Sequence, residues 1–176
     1  MNILAFAASN SHKSINKDLI KYAATLLGKH EVDIIDINDF EMPIYSIDLE
    51  ESHGIPEAVS RFLNKIAAAD ALLISYAEHN GNYTVAYKNL FDWASRADRE
   101  VYQGKSIVML STSPGPSGAK TVLALANESA HFFNGHVRAS LSIPSFYENF
   151  DQEKGALSNT ALVSELKAAL SALETR

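Results

Sequence analysis

The feature that most narrows the folds open to this chain is its alternation of short apolar runs with helical stripes. Ile3 to Ala7, Val32 to Ile37, Ala71 to Tyr76, Ile107 to Leu110 and Val137 to Ile143 each read as a strand. Between them apolar residues recur at helical spacing: Ile15, Leu19, Ala23, Leu26 and Leu27; then Ile55, Val59, Phe62, Leu63 and Ile66; then Ala86, Leu90, Trp93 and Ala97; then Val122, Leu125, Ala126, Ser129 and Phe133. Leu162, Leu166, Ala169, Leu170 and Leu173 mark a terminal helix. Strands and helices in alternation predict a parallel sheet covered on both faces. Right-handed crossovers leave few strand orders. The continuous first, third and fourth runs suit interior positions. The second and fifth, interrupted by polar residues, suit the edges, which gives the order 2-1-3-4-5.

The expected fold is therefore α/β: a flavodoxin-like three-layer sandwich around a five-stranded parallel sheet, one domain over residues 1–176. Two stretches, Asn38 to Gly54 and Pro144 to Ser158, read as irregular and long enough to suspect a functional or interface role. A net charge of −6 argues against a nucleic-acid partner, which needs a basic surface. The absence of cysteine excludes disulfides, thiolate catalysis and cysteine metal sites. No apolar run approaches a membrane span, and Met1 to Ala7 reads as a first strand rather than a signal peptide, so cytoplasmic residence is the expectation.

In this strand order the central strands deliver three loops to one edge of the sheet, where ligands bind in open α/β folds. The first carries Ser9, Asn10, Ser11, Ser14 and Asn16 at the start of a helix. Unpaired amides and partial positive charge there attract phosphate, although these residue types also serve as ordinary caps and turns. The loop matches neither G-x-G-x-x-G nor the P-loop pattern. The second carries Glu78, His79, Asn80 and Gly81, able to line a flat ring and bond its edge, or simply to be solvated. The third, Thr112 to Gly118, has glycines that admit a ligand near the backbone. Lys88, Asn89 and Asp92 suit capping, surface charge or subunit contact, and Trp93 suits the core.

Several of these residues stand in a familiar order: Ser9-x-x-x-x-Ser14-x-Asn16, Pro43-Ile-Tyr45-Ser-Ile-Asp48, Glu78-His-Asn80-Gly81, Lys88-Asn89, Asp92-Trp-Ala-Ser-Arg96, Gly104-Lys105 and Ser113-Pro-Gly115. From residue 2 to about residue 118 the chain resembles the NADPH-dependent FMN reductase family of flavodoxin-like proteins, which includes quinone, azo-dye and chromate reductases. The resemblance implies bound FMN, NADPH or NADH as reductant, and a small-molecule electron acceptor. It places Ser9, Ser11, Ser14 and Asn16 around the FMN phosphate. It places Ala77, Glu78, His79 and Asn80 along the isoalloxazine ring, with Ser113 and Gly115 opposite. It also implies a homodimer or homotetramer, with Pro43 to Asp48 and the helix after Tyr83 near the contact. The chain departs from the family at Ala8 for glycine, Ser11 for arginine, Ala77 and His79 within Pro-Glu-Tyr-Asn, and Thr84 to Tyr87 for a glycine-containing stretch. Lys13, with His12, stands beside Ser11 to replace the missing cation.

The expected function is an FMN-dependent NAD(P)H oxidoreductase passing electrons to a quinone or free flavin. The alternative is a flavodoxin-like electron carrier or flavin-binding protein without its own NAD(P)H turnover. In such enzymes the cofactor carries the chemistry, so no residue is given a firm catalytic role; His79 is the one candidate proton donor. A receiver-type signalling domain is discounted, because the strands end Ala7-Ala8-Ser9 and Tyr76-Ala77 rather than in acidic residues.

Overall fold

The computed structural model describes residues 1–174. In chain order it contains β1 (Asn2–Ala8), α1 (Ile15–Leu26), β2 (Glu31–Ile34), α2 (Ile47–His53), α3 (Glu57–Ala68) and β3 (Ala71–Tyr76). There follow β4 (Glu78–His79), β5 (Asn82–Tyr83), α4 (Val85–Ala97), β6 (Ser106–Thr112), α5 (Lys120–Ser129) and β7 (His136–Ile143). The chain continues through α6 (Phe146–Asn149), β8 (Phe150–Asp151), β9 (Ala156–Leu157) and α7 (Thr160–Ser171). The main sheet is parallel, in the order β2-β1-β3-β6-β7, which is 2-1-3-4-5 when only its own strands are counted.

The period of two along each central strand divides its side chains between two cores. Leu4, Phe6, Leu72, Ile74, Ile107 and Met109 point toward Val59, Phe62 and Ile66 of α3, Leu90 and Trp93 of α4, and Val122 and Ala126 of α5. Ile3, Ala5, Leu73, Val108 and Leu110 point toward Leu19, Ile20 and Ala23 of α1 and Leu166 and Leu170 of α7. Each fully buried Leu, Ile or Phe contributes about 1.5–3 kcal/mol. Because both faces are covered, β1, β3 and β6 read as unbroken apolar runs, whereas β7 at the edge alternates.

The second strand stops at Ile34, short of the expected Ile37. Asp36 caps a 3-10 turn over Ile37–Phe40 by accepting from the Asn38 amide, and that turn buries Ile37 and Phe40 instead. Leu123 rather than Leu125 joins the core, because α5 begins at Lys120 after a left-handed Ala119. The stretches that read as irregular hold α2 and the α6–β8–β9 unit; Phe146, Phe150 and Leu157 of the latter complete the core beneath α7. Among the described residues no helix is long and apolar enough to cross a membrane.

The sheet register fixes where the loops emerge. Ala8 lies beside Tyr76, and Tyr76 beside Ser111. The turns after β1, β3 and β6 therefore leave the same rim side by side.

Candidate functional site

Ser14 opens the first helix. Its hydroxyl accepts the Lys17 amide at 3.4 Å, the N-cap bond that Ser, Thr, Asp and Asn favour. Ser9 is buried and its Oγ accepts the Ser11 amide at 3.3 Å, which curls the loop back on itself. Among the described residues, that is the one amide from Asn10 to Ser14 with an acceptor inside the protein. Ser11, His12 and Lys13 are exposed at the tip. The loop thus offers amide donors and a helix start to an anion. Asn16 has a different task. Its side chain is buried, accepts from Ser75 Oγ at 2.7 Å and donates to the Thr112 carbonyl at 3.3 Å. It fastens the start of α1 to β3 and β6, and so fixes the first loop relative to the third.

The second loop is a tight hairpin, β4 paired with β5. Asn80 and Gly81 sit at its tip with φ of 53° and 75°. Positive φ at both central residues is the type I′ turn that Asn-Gly specifies. Read from the sequence as a loop, the segment is a hairpin, and the Asn80-Gly81 dipeptide is the signal that marks it. Glu78 turns away from the rim: its carboxylate accepts the Val122 amide at 2.9 Å, in the first turn of α5. Gly81 packs against Thr121 Cγ2 of the same turn, 3.8 Å from where a Cβ would sit. The hairpin is thereby docked on α5, with His79 and Asn80 exposed and Ala77 half-buried. Thr84 completes the anchorage. It caps α4 by accepting the Tyr87 amide and donates its own hydroxyl to the Ala8 carbonyl at 3.1 Å. At this departure from the family pattern the threonine ties α4 to the end of β1.

The third loop is braced from behind. The Gly115 carbonyl accepts from the Ser145 amide at 2.9 Å and from Ser113 Oγ at 3.2 Å. A Cβ on Gly115 would meet nothing within 4 Å, so the loop presents bare backbone to open space. Gly118 is the opposite case, held at φ 60° against Ser142 and Ile143.

Asn89 and Trp93 of α4 hold the segment that borders this rim. Asn89 Oδ1 accepts the Tyr45 amide at 2.8 Å, while its Nδ2 donates to the Pro43 carbonyl at 3.0 Å and the Met42 carbonyl at 3.3 Å. Trp93 Nε1 donates to Pro43 O at 2.8 Å. Tyr45 stands edge-on to the Trp93 ring at 5.0 Å and donates its hydroxyl to Glu50, which also takes a two-pronged bond from Arg96. The Lys88-to-Arg96 stretch is thus a clamp on Met42–Glu50, beyond the surface and subunit roles its sequence suggests. Two cavities adjoin this segment and share His79, one of about 390 Å3 reaching Asn10 and Asn38, the other of about 510 Å3 reaching Tyr83 and Lys88.

Arg96 holds the Glu50 carboxyl below its ordinary range, outweighing partial burial, with the Tyr45 hydroxyl adding to the effect. A depressed carboxyl contributes stability above its unfolded pKa of about 4.3 and loses it as pH falls through the folded value. The expected result is that amide protection in residues 42–50, corrected for intrinsic exchange, falls as the pH drops through the folded value of Glu50, and that Glu50→Gln removes this step. An identical step in the variant would assign it elsewhere.

Beneath the hairpin lies a cluster of buried tyrosines. Tyr87 and Tyr102 share a hydroxyl bond of 3.1 Å, and among the described residues the buried Tyr76 hydroxyl has no hydrogen-bond partner. Burial pushes Tyr102 up to about 12 and Tyr76 and Tyr87 well above their ordinary value. These phenols stay neutral, and the rings of Tyr76, Tyr83 and Tyr87 pack against one another at 5.3–5.8 Å.

The rim fits FMN. A phosphate monoester suits the amides of the Asn10–Ser14 loop, and a flat ring suits the space between the bare Gly115 backbone and the His79–Asn80 tip. Of the residues expected at this cofactor, Ser9, Ser11, Lys13, Ser14, Ala77, His79, Asn80, Ser113 and Gly115 lie on these loops, whereas the side chains of Asn16 and Glu78 are occupied within the scaffold. Among the described residues no cluster suited to a metal ion occurs.

Known proteins of similar sequence and fold are flavin-dependent reductases. The chain is 29% identical over 164 residues to an NAD(P)H-dependent FMN reductase of Pseudomonas aeruginosa, covering 92% of this chain and 87% of that protein. It is 27% identical to an NADPH:quinone oxidoreductase of Arabidopsis thaliana, covering 99% and 90%. The solved structure of the flavoenzyme NAD(P)H:(acceptor) oxidoreductase FerB from Paracoccus denitrificans superposes with a TM-score of 0.75 at 26% identity, covering 98% of this chain and 94% of that one. With residues 1–148 matching the family profile, the chain belongs to the NADPH-dependent FMN reductase family and is an FMN-dependent NAD(P)H oxidoreductase.

Proposed function

We propose that the three-loop rim seats FMN and that the protein passes electrons from NAD(P)H to a quinone. The observation that carries this is the meeting of an amide-bearing loop, a docked hairpin and a side-chain-free glycine wall on adjacent strand ends. Held by these residues, FMN would supply the redox chemistry between a nicotinamide and an acceptor. The chain binds and orients. The loop amides and the hydroxyls of Ser9, Ser11 and Ser14 hold the phosphate, with Lys13 supplying the nearby charge. The backbone of Ala77, His79 and Asn80 meets the ring edge, and Ser113 and Gly115 line the other side. Asn16 and Glu78 position these walls without touching the cofactor. His79, shared by both cavities, stands where an acceptor would approach.

The acceptor class rests on the name of the quinone-reducing plant relative and on the apolar borders of the two cavities, Ile44 and Val85, which are 66% and 68% exposed. The same exposed side chains, with Ile47, favour a homodimer or homotetramer. Residence in the cytoplasm completes the reading.

Gly115→Val tests the seat. A Cβ there strikes no protein atom, so stability is expected to stay within about 0.5 kcal/mol of the parent. The branched side chain obstructs the wall, and FMN affinity is expected to fall at least about tenfold, or 1.4 kcal/mol. Absorbance titration with FMN reads the affinity and urea unfolding of the apoprotein reads the stability. Undiminished FMN affinity in the variant removes Gly115 from the seat.

A further inference from the structure

The chain holds two Asn-Gly pairs, Asn80-Gly81 and Asn134-Gly135, and both asparagines have positive φ, 53° and 55°. Asparagine before glycine is chemically labile. Without a Cβ on the glycine, its amide nitrogen can approach the carboxamide of the residue before it. The fold treats the two pairs oppositely.

Asn134 is locked. Its Nδ2 donates to Glu100 Oε2 at 2.8 Å, and its carbonyl accepts the Gly104 amide at 2.7 Å. The Gly135 amide donates to the Ala130 carbonyl at 3.0 Å, and Gly135 is buried against the Tyr102 ring. The nitrogen that would attack is bonded, and the carboxamide that would be attacked is held away from it.

Asn80 is free. Both it and Gly81 are exposed at the hairpin tip. The hairpin's side-chain bonds are made by Glu78, Asn82 and Tyr83. Among the described residues neither the Asn80 carboxamide nor the Gly81 amide has a hydrogen-bond partner. Only two residue pairs, His79 with Asn82 and Glu78 with Tyr83, close the hairpin below the tip. A pairing so short opens locally at little cost, which lets the Gly81 amide turn toward the Asn80 carboxamide.

We propose that Asn80 is a site of spontaneous conversion to aspartate and isoaspartate, and that this conversion ages the protein by weakening its hold on FMN. The Gly81 amide nitrogen gives its proton to solvent and attacks Asn80 Cγ. The new N–Cγ bond closes a five-membered imide, and the side-chain nitrogen leaves as ammonia with protons from water. Water then opens the imide. Attack at Cγ leaves aspartate; attack at the main-chain carbonyl leaves isoaspartate. The balance is amide plus water to carboxylic acid plus ammonia, with no oxidant or reductant. Either product carries a negative charge, and isoaspartate also adds a methylene to the main chain, which the two-residue turn has no room for. The consequence for FMN rests on the reading of the rim as its seat, where this charge would stand beside an anionic cofactor.

Full-length protein without FMN is aged in mildly alkaline buffer, and peptide mass mapping counts conversion at each asparagine. Releasing Asn134 breaks two hydrogen bonds of about 1 kcal/mol each, so Asn80 is expected to convert at least about tenfold faster. Comparable rates at the two asparagines overturn the proposal, as does an Asn80 that does not convert. Asn80→Asp installs the charge directly. This variant and the aged protein are both expected to bind FMN at least about threefold more weakly in absorbance titration. Unaltered affinity in both overturns the ageing effect. A parent protein that takes up no FMN fails the reading of the rim and the consequence with it, while conversion at Asn80 is still decided by the peptide map.

Discussion

Gly118→Ala is expected to destabilise the protein by about 3–5 kcal/mol. Two costs coincide. The backbone at Gly118 has φ 60°, a left-handed conformation that costs a residue bearing a Cβ on the order of 1 kcal/mol or more. The added Cβ would also lie 2.2 Å from Ser142 Oγ and 3.1 Å from the Ile143 backbone. Ser142 cannot swing aside freely, because its hydroxyl donates to the Gly118 carbonyl at 2.8 Å, as does Ser111 Oγ at 2.7 Å. The Ile143 backbone belongs to β7 and cannot move without disturbing its pairing with β6. Urea unfolding of the apoprotein gives the measurement. A loss under about 1 kcal/mol would mean that the turn has an alternative path and that the close packing of β6, β7 and α5 is not what fixes it. The contrast with Gly115 is informative, since two glycines three residues apart divide into one required by the scaffold and one facing a ligand.

The second large effect is expected at Asn89→Ala, a loss of about 2–3 kcal/mol. The side chain makes hydrogen bonds to Tyr45 N, Pro43 O and Met42 O, all on a segment without regular secondary structure. Alanine leaves the half-buried Tyr45 amide without its acceptor, and a stranded donor costs more than a hydrogen bond contributes. Lys88→Ala is the control. Lys88 pairs with Asp92 at 2.6 Å on the exposed face of α4, an i,i+4 bond contributing about 0.3–0.5 kcal/mol. Denaturant unfolding of both variants, with amide exchange at residues 42–46, separates the cases. Comparable losses at the two neighbours would show that the stretch acts through its surface charge. Because Met42 and Ile44 border the cavities beside His79, Asn89→Ala is also expected to raise KM for the acceptor more than it lowers kcat.

Most of the architecture was legible in the sequence because both faces of the sheet are covered. Ala71–Tyr76 reads as an unbroken apolar run and is β3 with the same boundaries. The less legible elements lie where one local signal competes with another. Val32 to Ile37 is apolar enough to continue as a strand, but Asp36 caps a turn that buries Ile37 and Phe40. Leu123 and Leu125 are indistinguishable by spacing until the left-handed Ala119 sets the phase of α5. Within the site, Ser14 keeps the capping role its type suggests, whereas Glu78 and Asn16 read as ligand-facing polar residues and are bonded into the frame.

Periodicity alone determined the layers, the strand order and the rim at which three loops emerge, since burying apolar stripes on a parallel sheet admits few arrangements. Only the tertiary structure decided which polar side chains remain open to a ligand. Hydrogen-bond partners lie far apart along the chain, as with Asn16 and Thr112, Glu78 and Val122, or Asn89 and Pro43. A buried polar group must find such a partner or be destabilising, so its role is set by what the fold brings within 3 Å of it rather than by its neighbours in sequence.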